Sequence, residues 1–271
     1  LLLDGTAKTY TGGTWVNEGT LQIGADNILS TSTALTMSGT GIFDLNGNDQ
    51  TVGSLTMSGG TISGAGLLTL GGNVTGNVGG LTSTIASNLN LGSSTRTFNI
   101  AASGMNDDME LSGIISGTGG LIKTGAGTLI MNGANSNTFT GTTEVREGKL
   151  ILDSAASPNN TTLVGNLIIG SASDTAADAG KAMVQINRVG QIDNTKDITI
   201  YAGGVFNSQT FLEETRTWDV RGGQIMSAYD AASQSGTQPG GGIWLGSGGV
   251  VSSGNVTGLI SAYVDIANGV G

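Results

Sequence analysis

Residues 117–152, GTGGLIKTGAGTLIMNGANSNTFTGTTEVREGKLIL, decide the fold because most of this stretch occurs twice in the chain. Residues 1–24, LLLDGTAKTYTGGTWVNEGTLQIG, match it from Leu129 onward when one inserted residue is allowed. Six matched pairs lie 129 positions apart: Tyr10 with Phe139, Gly12 with Gly141, Val16 with Val145, Glu18 with Glu147, Gly19 with Gly148 and Leu21 with Leu150. A constant spacing across such different residue types indicates a duplicated structural unit, as in stacked repeat architectures.

A second set of matches has a spacing of 163. Residues 35–43 (LTMSGTGIF) match 198–206 (ITIYAGGVF), and residues 55–62 (LTMSGGTI) match 218–225 (WDVRGGQI). The larger spacing places 34 extra residues in the later unit, between Leu152 and Gln191. We therefore predict one solenoid segment over residues 1–271, with units at about 1–128 and 129–271. An insertion at about 153–190, with strands near 166–170 and 182–186, adds one or more turns to the same stack.

Short segments with alternating apolar residues, bounded by Gly or Asn, predict strands. In the first third of the chain they lie at residues 1–3, 14–16, 20–23, 34–37, 41–45, 54–57, 60–62 and 67–70. No window keeps a helical spacing, and the best helix candidate, residues 174–179, is one turn long and is interpreted as a loop. The predicted fold is all-β: a right-handed parallel β-helix with essentially no helix and coils of roughly 20 to 25 residues. The local spacing also fits an antiparallel sandwich, but the long repeats favour the solenoid.

Composition excludes several classes of function. A net charge of −10 with ten scattered Lys and Arg argues against a nucleic-acid partner. With no cysteine and no histidine, the chain has no disulfides, no thiolate nucleophile and no Ser-His-Asp triad. No apolar run is long enough to span a bilayer as a helix. The amino terminus lacks the features of a signal peptide and starts inside a repeat, so we expect a piece of a longer protein.

Residues 119–152 resemble the autotransporter-associated β-strand repeat, GLxKxGxGTLxLxGxNxYxGxTxVxxGxL. Its positions are held by Leu121, Lys123, Gly125, Gly127, Thr128, Leu129, Gly133, Asn135, Phe139, Gly141, Thr143, Val145, Gly148 and Leu150. That repeat occurs in passenger regions of bacterial autotransporters and in very large bacterial surface proteins. The resemblance implies a secreted β-helical stalk, adhesive or structural, at the bacterial cell surface, either associated with the outer membrane or released. It implies no chemistry within the motif.

Without histidine, an enzyme would depend on carboxylates. The candidates are Glu144 and Glu147, Glu213 and Glu214, and the group Asp107, Asp108 and Glu110. Paired carboxylates suit a glycosidase, and acids with calcium and Arg or Lys suit a polysaccharide lyase. Because Glu147 is matched by Glu18 in the other copy, we interpret these acids as solvated turn residues.

Three other patterns have a structural interpretation beside a functional one. Residues 44–49 (DLNGND) resemble a calcium loop, but the twelfth position is Leu55 instead of glutamate, so we predict a polar corner between strands. The glycine-rich pieces at 117–120 and 239–242 are interpreted as corners, since no GK[ST] follows either. The aromatic residues suit either a sugar-stacking surface or individual plugs of the core and the corners, and we favour the second interpretation. They are Trp15, Trp218, Trp244, Tyr10, Tyr201, Tyr229 and Tyr263.

The sequence thus predicts a structural or adhesive stalk that is not an enzyme and has no catalytic residue, cofactor or metal site. Its expected partners are neighbouring repeats or copies of itself, with filament formation as one option, and a host or cell-surface glycan or protein. The alternatives are a carbohydrate-active β-helix, either a lyase or a glycosidase, and a non-catalytic glycan-binding module.

Overall fold

The computed structural model describes residues 1–155, 161–227, 242–251, 259–261 and 263–266. Within them the chain forms 26 strands, and the paired strands are parallel and stack as a β-solenoid of about ten turns. Each turn passes over three faces, which we number in the order in which their first strands occur. The parallel β-helix predicted from the repeats is confirmed.

Face one is a ladder of β1 (Leu2–Leu3), β3 (Thr20–Ile23), β9 (Ser83–Ile85), β12 (Met109–Leu111), β15 (Thr128–Met131), β17 (Gly148–Leu152), β19 (Ala182–Ile186), β21 (Gly204–Asn207), β23 (Gln224–Met226) and β25 (Leu259–Ser261). Face two holds β2 (Thr14–Val16), β8 (Val74–Gly76), β11 (Arg96–Ile100), β14 (Leu121–Thr124), β16 (Thr143–Val145), β18 (Leu167–Ile169) and β20 (Asp197–Tyr201). Face three holds β5 (Gln50–Val52), β7 (Leu67–Leu70), β10 (Asn88–Asn90), β13 (Ile115–Ser116) and β26 (Tyr263–Ile266).

Four longer strands run across a corner and belong to two faces. β4 (Ala34–Asp44) and β6 (Ser54–Ser63) pass from face two onto face one, and β22 (Leu212–Arg221) and β24 (Gly242–Val251) pass from face three onto face two. The sequence predicted a break inside β4 and inside β6, which was wrong. In β4 the pairing register shifts between Gly39 and Ile42 without ending the strand. Gly41 permits this close passage, because a Cβ there would lie 2.2 Å from the carbonyl oxygen of Val16.

The core is a set of columns that run along the stack. On face one, eight buried side chains follow one another in register: Leu21, Phe43, Ile62, Ile85, Leu111, Met131, Leu152 and Ile186. Strand alternation sends each of these side chains inward and its neighbours outward. Each buried aliphatic or aromatic side chain stabilises the fold by roughly 1.5–3 kcal/mol, so the columns hold successive turns together.

The turns vary in length more than the repeats suggested. On face two, Leu55 pairs with Val74, 19 residues on, whereas Leu167 pairs with Ile198, 31 residues on. The second of these turns includes residues 171–181, within which the sequence predicted a loop at residues 174–179. That loop contains one turn of 3₁₀ helix, Ala176–Asp178, because Thr175 Oγ1 accepts from the Ala177 N–H while the Asp178 carboxylate accepts from the Thr175 N–H.

The segment 153–190 supplies β18 and β19. In the first unit β2 pairs directly with β4, whereas in the second unit β18 lies between β16 and β20, and β19 lies between β17 and β21. The described part of this segment thus forms one additional layer of the stack. The division of the chain into two repeat units stays a prediction.

Among the described residues, no helix has the length and apolar character that a bilayer-spanning helix requires.

Candidate functional site

The candidate carboxylates are separated along the stack, and most have a local partner. Glu144 on β16 forms an ion pair with Arg146 at 2.8 Å. The carboxylate of Asp108 accepts from the Ser103 N–H and from the Thr128 N–H, both at 2.7 Å. These acids therefore fix local backbone and neighbouring side chains.

The acidic group near β12 consists of Asp107, Asp108 and Glu110. The pKa of the Asp107 carboxyl is raised, first by burial and then by the charge of Glu110, while Lys149 opposes the shift. Glu110 itself accepts from the Asn132 side-chain amide. Asp108 is committed to Ser103 and the backbone of β15, so the three acids do not converge on one point.

Most cationic side chains are also bound locally. Six of them are in ion pairs: Arg146, Lys181, Arg188, Lys196, Arg216 and Arg221. Three others, Lys8, Arg96 and Lys123, donate to backbone carbonyl groups. A lyase needs a base or an anion-stabilising cation beside its acids. The ion pairs here instead hold both charges at the surface, within one turn or between two stacked turns.

Residues 44–49 form the polar corner that was predicted. Asp44 accepts from the Asn46 N–H and from the Gln22 side chain, and Asp49 accepts from the Leu67 N–H. Asn46 and Gly47 have positive φ values of 50° and 83°, which turn the chain from β4 to β5. The glycine-rich piece at 117–120 likewise joins β13 to β14, whereas residues 239–241 of the other piece lie outside the described residues.

The aromatic residues divide into core and surface. Trp218 is fully buried and meets Phe206 edge-on, with ring centroids 4.9 Å apart. Trp15 was expected to be a plug, but its side chain is 64% exposed because it occupies the outward phase of β2 between Thr14 and Val16. Tyr201 lies under the guanidinium of Arg221, 5.5 Å from its ring centroid. Tyr229 and the side chains of Trp244 and Tyr263 lie outside the described residues.

A groove of about 380 Å³ lies at the end of the stack formed by β1, β2 and β3. It is lined by Leu1, Leu3, Tyr10, Gly13, Thr14, Trp15, Val16, Asn17, Glu18, Thr20 and Leu21. The groove exists because no described strand covers β2 on the side away from β4. Sequence reasoning missed this site, although the duplication contains the signal: the same positions of the second copy are covered by β14.

A family model for the passenger-associated-transport-repeat matches residues 1–23 and 121–152. These two segments fit an autotransporter passenger β-helix repeat. Both matched segments coincide with the two copies found by internal comparison, so the predicted resemblance is confirmed. No curated protein and no solved structure matches the chain. Together, the passenger repeat and the β-solenoid fit the stalk of an autotransporter passenger, a structural region that is secreted or displayed at the surface.

The lysine of the passenger repeat is buried and joins two turns. Lys123 lies in the inward phase of β14, and its Nζ donates to the carbonyl oxygens of Thr124 (2.9 Å), Gly125 (2.6 Å) and Glu147 (3.1 Å). Glu147 belongs to the next turn. Burial lowers the pKa of Lys123 to about 8, although Glu147 and Asp108 act against the shift.

A second buried ionisable side chain lies on β22. Glu213 is fully buried on face three and accepts from the Gln191 N–H (3.1 Å) and the Ile192 N–H (2.9 Å). Burial raises its pKa to about 8, against the effect of these hydrogen bonds. At a spacing of 163 its counterpart is Gln50, whose side-chain amide pairs with both the N–H and the C=O of Leu29.

No metal site emerges from these acids. In the ranges that the structure describes, no three His, Cys, Asp or Glu side chains are grouped so as to hold an ion.

Proposed function

We propose that the chain is a length-setting stalk segment of a secreted passenger, which holds other regions of its protein away from the bacterial surface. One observation carries this proposal: the layer formed by β18 and β19, which has no counterpart between β2 and β4, is added without interrupting the ladders on faces one and two. A stack that accepts a whole extra turn without interruption changes in length and keeps its cross-section.

The surface chemistry supports a spacer. Face two carries a row of small polar side chains at outward positions, in which Thr36, Thr56 and Thr75 follow one another in register. The six ion pairs are partly exposed, and pairs of this kind contribute little stability but keep a surface hydrated. Such a face separates domains without binding strongly to them.

Tandem copies of one natural layer test the spacer function. Four further copies of residues 154–187 inserted after Asn187 are expected to lengthen the particle by about 19 Å, at about 4.8 Å a layer. Small-angle X-ray scattering measures the maximum dimension. A Gly/Ser insertion of equal length is the control and should add a flexible loop without lengthening the rod. A compact particle whose cross-section grows with the copies would contradict the proposal.

Display at the surface is tested separately. The chain, replacing the passenger of an autotransporter in a laboratory strain, should become accessible to protease and antibody on intact cells. If it folds but stays inaccessible after secretion of the native passenger has been verified in parallel, the surface assignment is wrong.

A further inference from the structure

We infer that the outward surface of face two around β16, β18, β20 and β22 binds the same surface of a second molecule of this chain, with the two stacks antiparallel. We call this surface the charged patch. It is formed by the side chains of Glu144, Arg146, Ile168, Tyr201, Asp219 and Arg221. The inference goes beyond the spacer function, which concerns the length of the stack and not its sides.

Strand pairing arranges the charged patch in two rows that run along the stack. The acid row consists of Glu144, Ile168, Thr199 and Asp219, which pair with one another in this order. The arginine row lies two residues further along each strand and consists of Arg146, Gly170, Tyr201 and Arg221. Each row therefore has charges of one sign at its two ends, and an apolar side chain, Ile168 or Tyr201, between them.

The charges of the patch are within reach of a partner. Arg146 and Arg221 each bind the acid two residues before them, at 2.8 and 2.7 Å, and their side chains are 49% and 44% exposed. Arg221 also lies over the Tyr201 ring, and its Nη1 donates to the tyrosine hydroxyl at 3.3 Å. Arginine and tyrosine are enriched at protein interfaces. Because the guanidinium occupies one face of this ring, that face does not stack on a sugar, which favours a protein as the partner.

A two-fold axis perpendicular to face two, between β18 and β20, makes the charged patch complementary to itself. The rotation reverses the order of the layers and the direction of each strand, so the acid row of one molecule lies on the arginine row of the other. Glu144 then meets Arg221 of the second molecule. In the same way Arg146 meets Asp219, and the isoleucine of the acid row meets the tyrosine of the arginine row. Each charge of the patch thus faces an opposite charge around an apolar centre, which selects this orientation.

The first unit does not have these charges at the corresponding positions. At the spacings of 129 and 163, the counterparts of Glu144, Arg146, Asp219 and Arg221 are Trp15, Asn17, Thr56 and Ser58. All of these positions lie on outward phases of face two, where the side chains take no part in the core. Stacking of the passenger repeat therefore does not account for the charged patch.

The geometry sets the strength and the use of this contact. The patch spans four layers, about 14 Å at about 4.8 Å a layer, so we expect a weak and reversible interface at the small end of the range for protein complexes. The two-fold axis makes the stacks run in opposite directions. The contact thus suits molecules displayed on two facing surfaces, because neighbours on one surface point the same way.

Exchange of one ion pair at a time tests the inference. The first exchange is Glu144→Arg with Arg146→Glu, and the second is Asp219→Arg with Arg221→Asp. Each keeps the net charge and an ion pair within its own strand, so circular dichroism and urea denaturation should match the natural chain. Sedimentation equilibrium of the full chain should show a dimer, and either exchange should raise its Kd at least about tenfold, because like charges then face each other.

An equimolar mixture of the two exchanged variants makes the test specific. In the mixed dimer every charge of one variant again faces an opposite charge of the other, so we expect the mixture to dimerise like the natural chain. The matched control exchanges an ion pair on face one, Asp153→Arg with Arg188→Asp, and should leave the Kd unchanged.

Three results would overturn the inference. The natural chain could stay monomeric at every concentration, or its dimer could survive both exchanges, which would place the contact elsewhere on the stack. The third result is a mixture that associates no better than either variant alone. That outcome would exclude the antiparallel arrangement even if the charges themselves mattered.

Discussion

The first and second passenger repeats have the same pattern of residues but different surroundings. In the second repeat, β12 and β14 cover β15 and β16, and Leu129, Phe139 and Val145 are fully buried. In the first repeat no described strand covers β2 from that side, and Leu1 and Tyr10 are exposed. The comparison teaches that one passenger repeat does not complete its own core, since a repeat buries its apolar face only when a neighbouring layer covers it.

The largest predicted change to the stack is the removal of the additional layer formed by β18 and β19. Deletion of residues 154–187 removes 34 residues and should bring β16 onto β20 and β17 onto β21, as β2 lies on β4. Inward side chains stay inward, so we expect a folded stack that is shorter by one layer. Circular dichroism should show that the strand content is kept, and urea denaturation should show a cooperative transition.

The matched control for this deletion removes one further residue inside a strand. Deletion of residues 154–187 together with Thr199 shifts the alternation of inward and outward side chains within β20 and should destabilise the stack, because apolar side chains of β20 would face solvent. If both deletions denature alike, the correspondence between β4 and the strands β20 and β21 is wrong.

The next largest effect on stability is expected from the matched aromatic residues Phe139 and Tyr10. Phe139→Ala is expected to lower the free energy of unfolding by about 3–5 kcal/mol, because it leaves a cavity under a covered layer. Tyr10→Ala should cost less than about 1 kcal/mol, since its ring is 42% exposed. Urea denaturation of both variants checks the difference. Equal losses would mean that the groove at β1, β2 and β3 is covered in solution.

Gln50 and Glu213 are counterparts, but only Glu213 can titrate. The free energy of unfolding should therefore depend on pH. The pKa of Glu213 is about 8 in the folded chain, against 4.5 for an unperturbed glutamate, so between these values the folded chain holds a proton that the unfolded chain has released. The free energy of unfolding should therefore fall as the pH rises from about 4.5 to about 8, by an amount on the order of a few kcal/mol.

Glu213→Gln places the residue type of Gln50 at this position and should remove that slope, making the variant more stable than the natural chain above pH 8. Glu214→Gln is the control, because Glu214 acts on Glu213 only through its charge. Denaturation midpoints of the natural chain and both variants, measured from pH 4 to pH 9, test this prediction. Parallel curves for the natural chain and Glu213→Gln would show that Glu213 is ionised in the fold.

The smallest expected effect separates two lysines. Lys123→Ala removes three carbonyl contacts and a buried stem, and we expect a loss of about 2 kcal/mol at pH 7. Lys8→Ala should lie within about 0.5 kcal/mol of the natural chain, because Lys8 donates to exposed carbonyls of its own loop. A similar loss of unfolding free energy in both variants would show that the buried Lys123 contributes no more to stability than the exposed Lys8.

The sequence predicted the strands and their stacking because inward residues recur with a period of two and glycines mark the corners. The bounds of β2, β3, β7 and β19 agree with prediction for this reason. The crossing strands β4 and β6 were missed, since local glycine content does not show that a chain turns a corner while remaining paired.

The buried polar residues were missed for a different reason. Charged residues were assumed to be exposed, yet Lys123 shares the inward phase with Leu121, and Glu213 corresponds to the inward Gln50. The inward or outward position of a residue along its strand therefore predicts its burial better than its residue type does. The same rule applies to Trp15, whose counterpart in the second copy is the outward Glu144.

The ladder hydrogen bonds all point along the stack, while the covalent chain runs around it. Tension applied between the two ends of the stack therefore acts along the direction of these hydrogen bonds. Under such a load, neighbouring layers should separate one after another. A stalk built in this way should yield under load one layer at a time, lengthening by a full turn of chain at each step, so that a surface structure absorbs a sudden pull gradually.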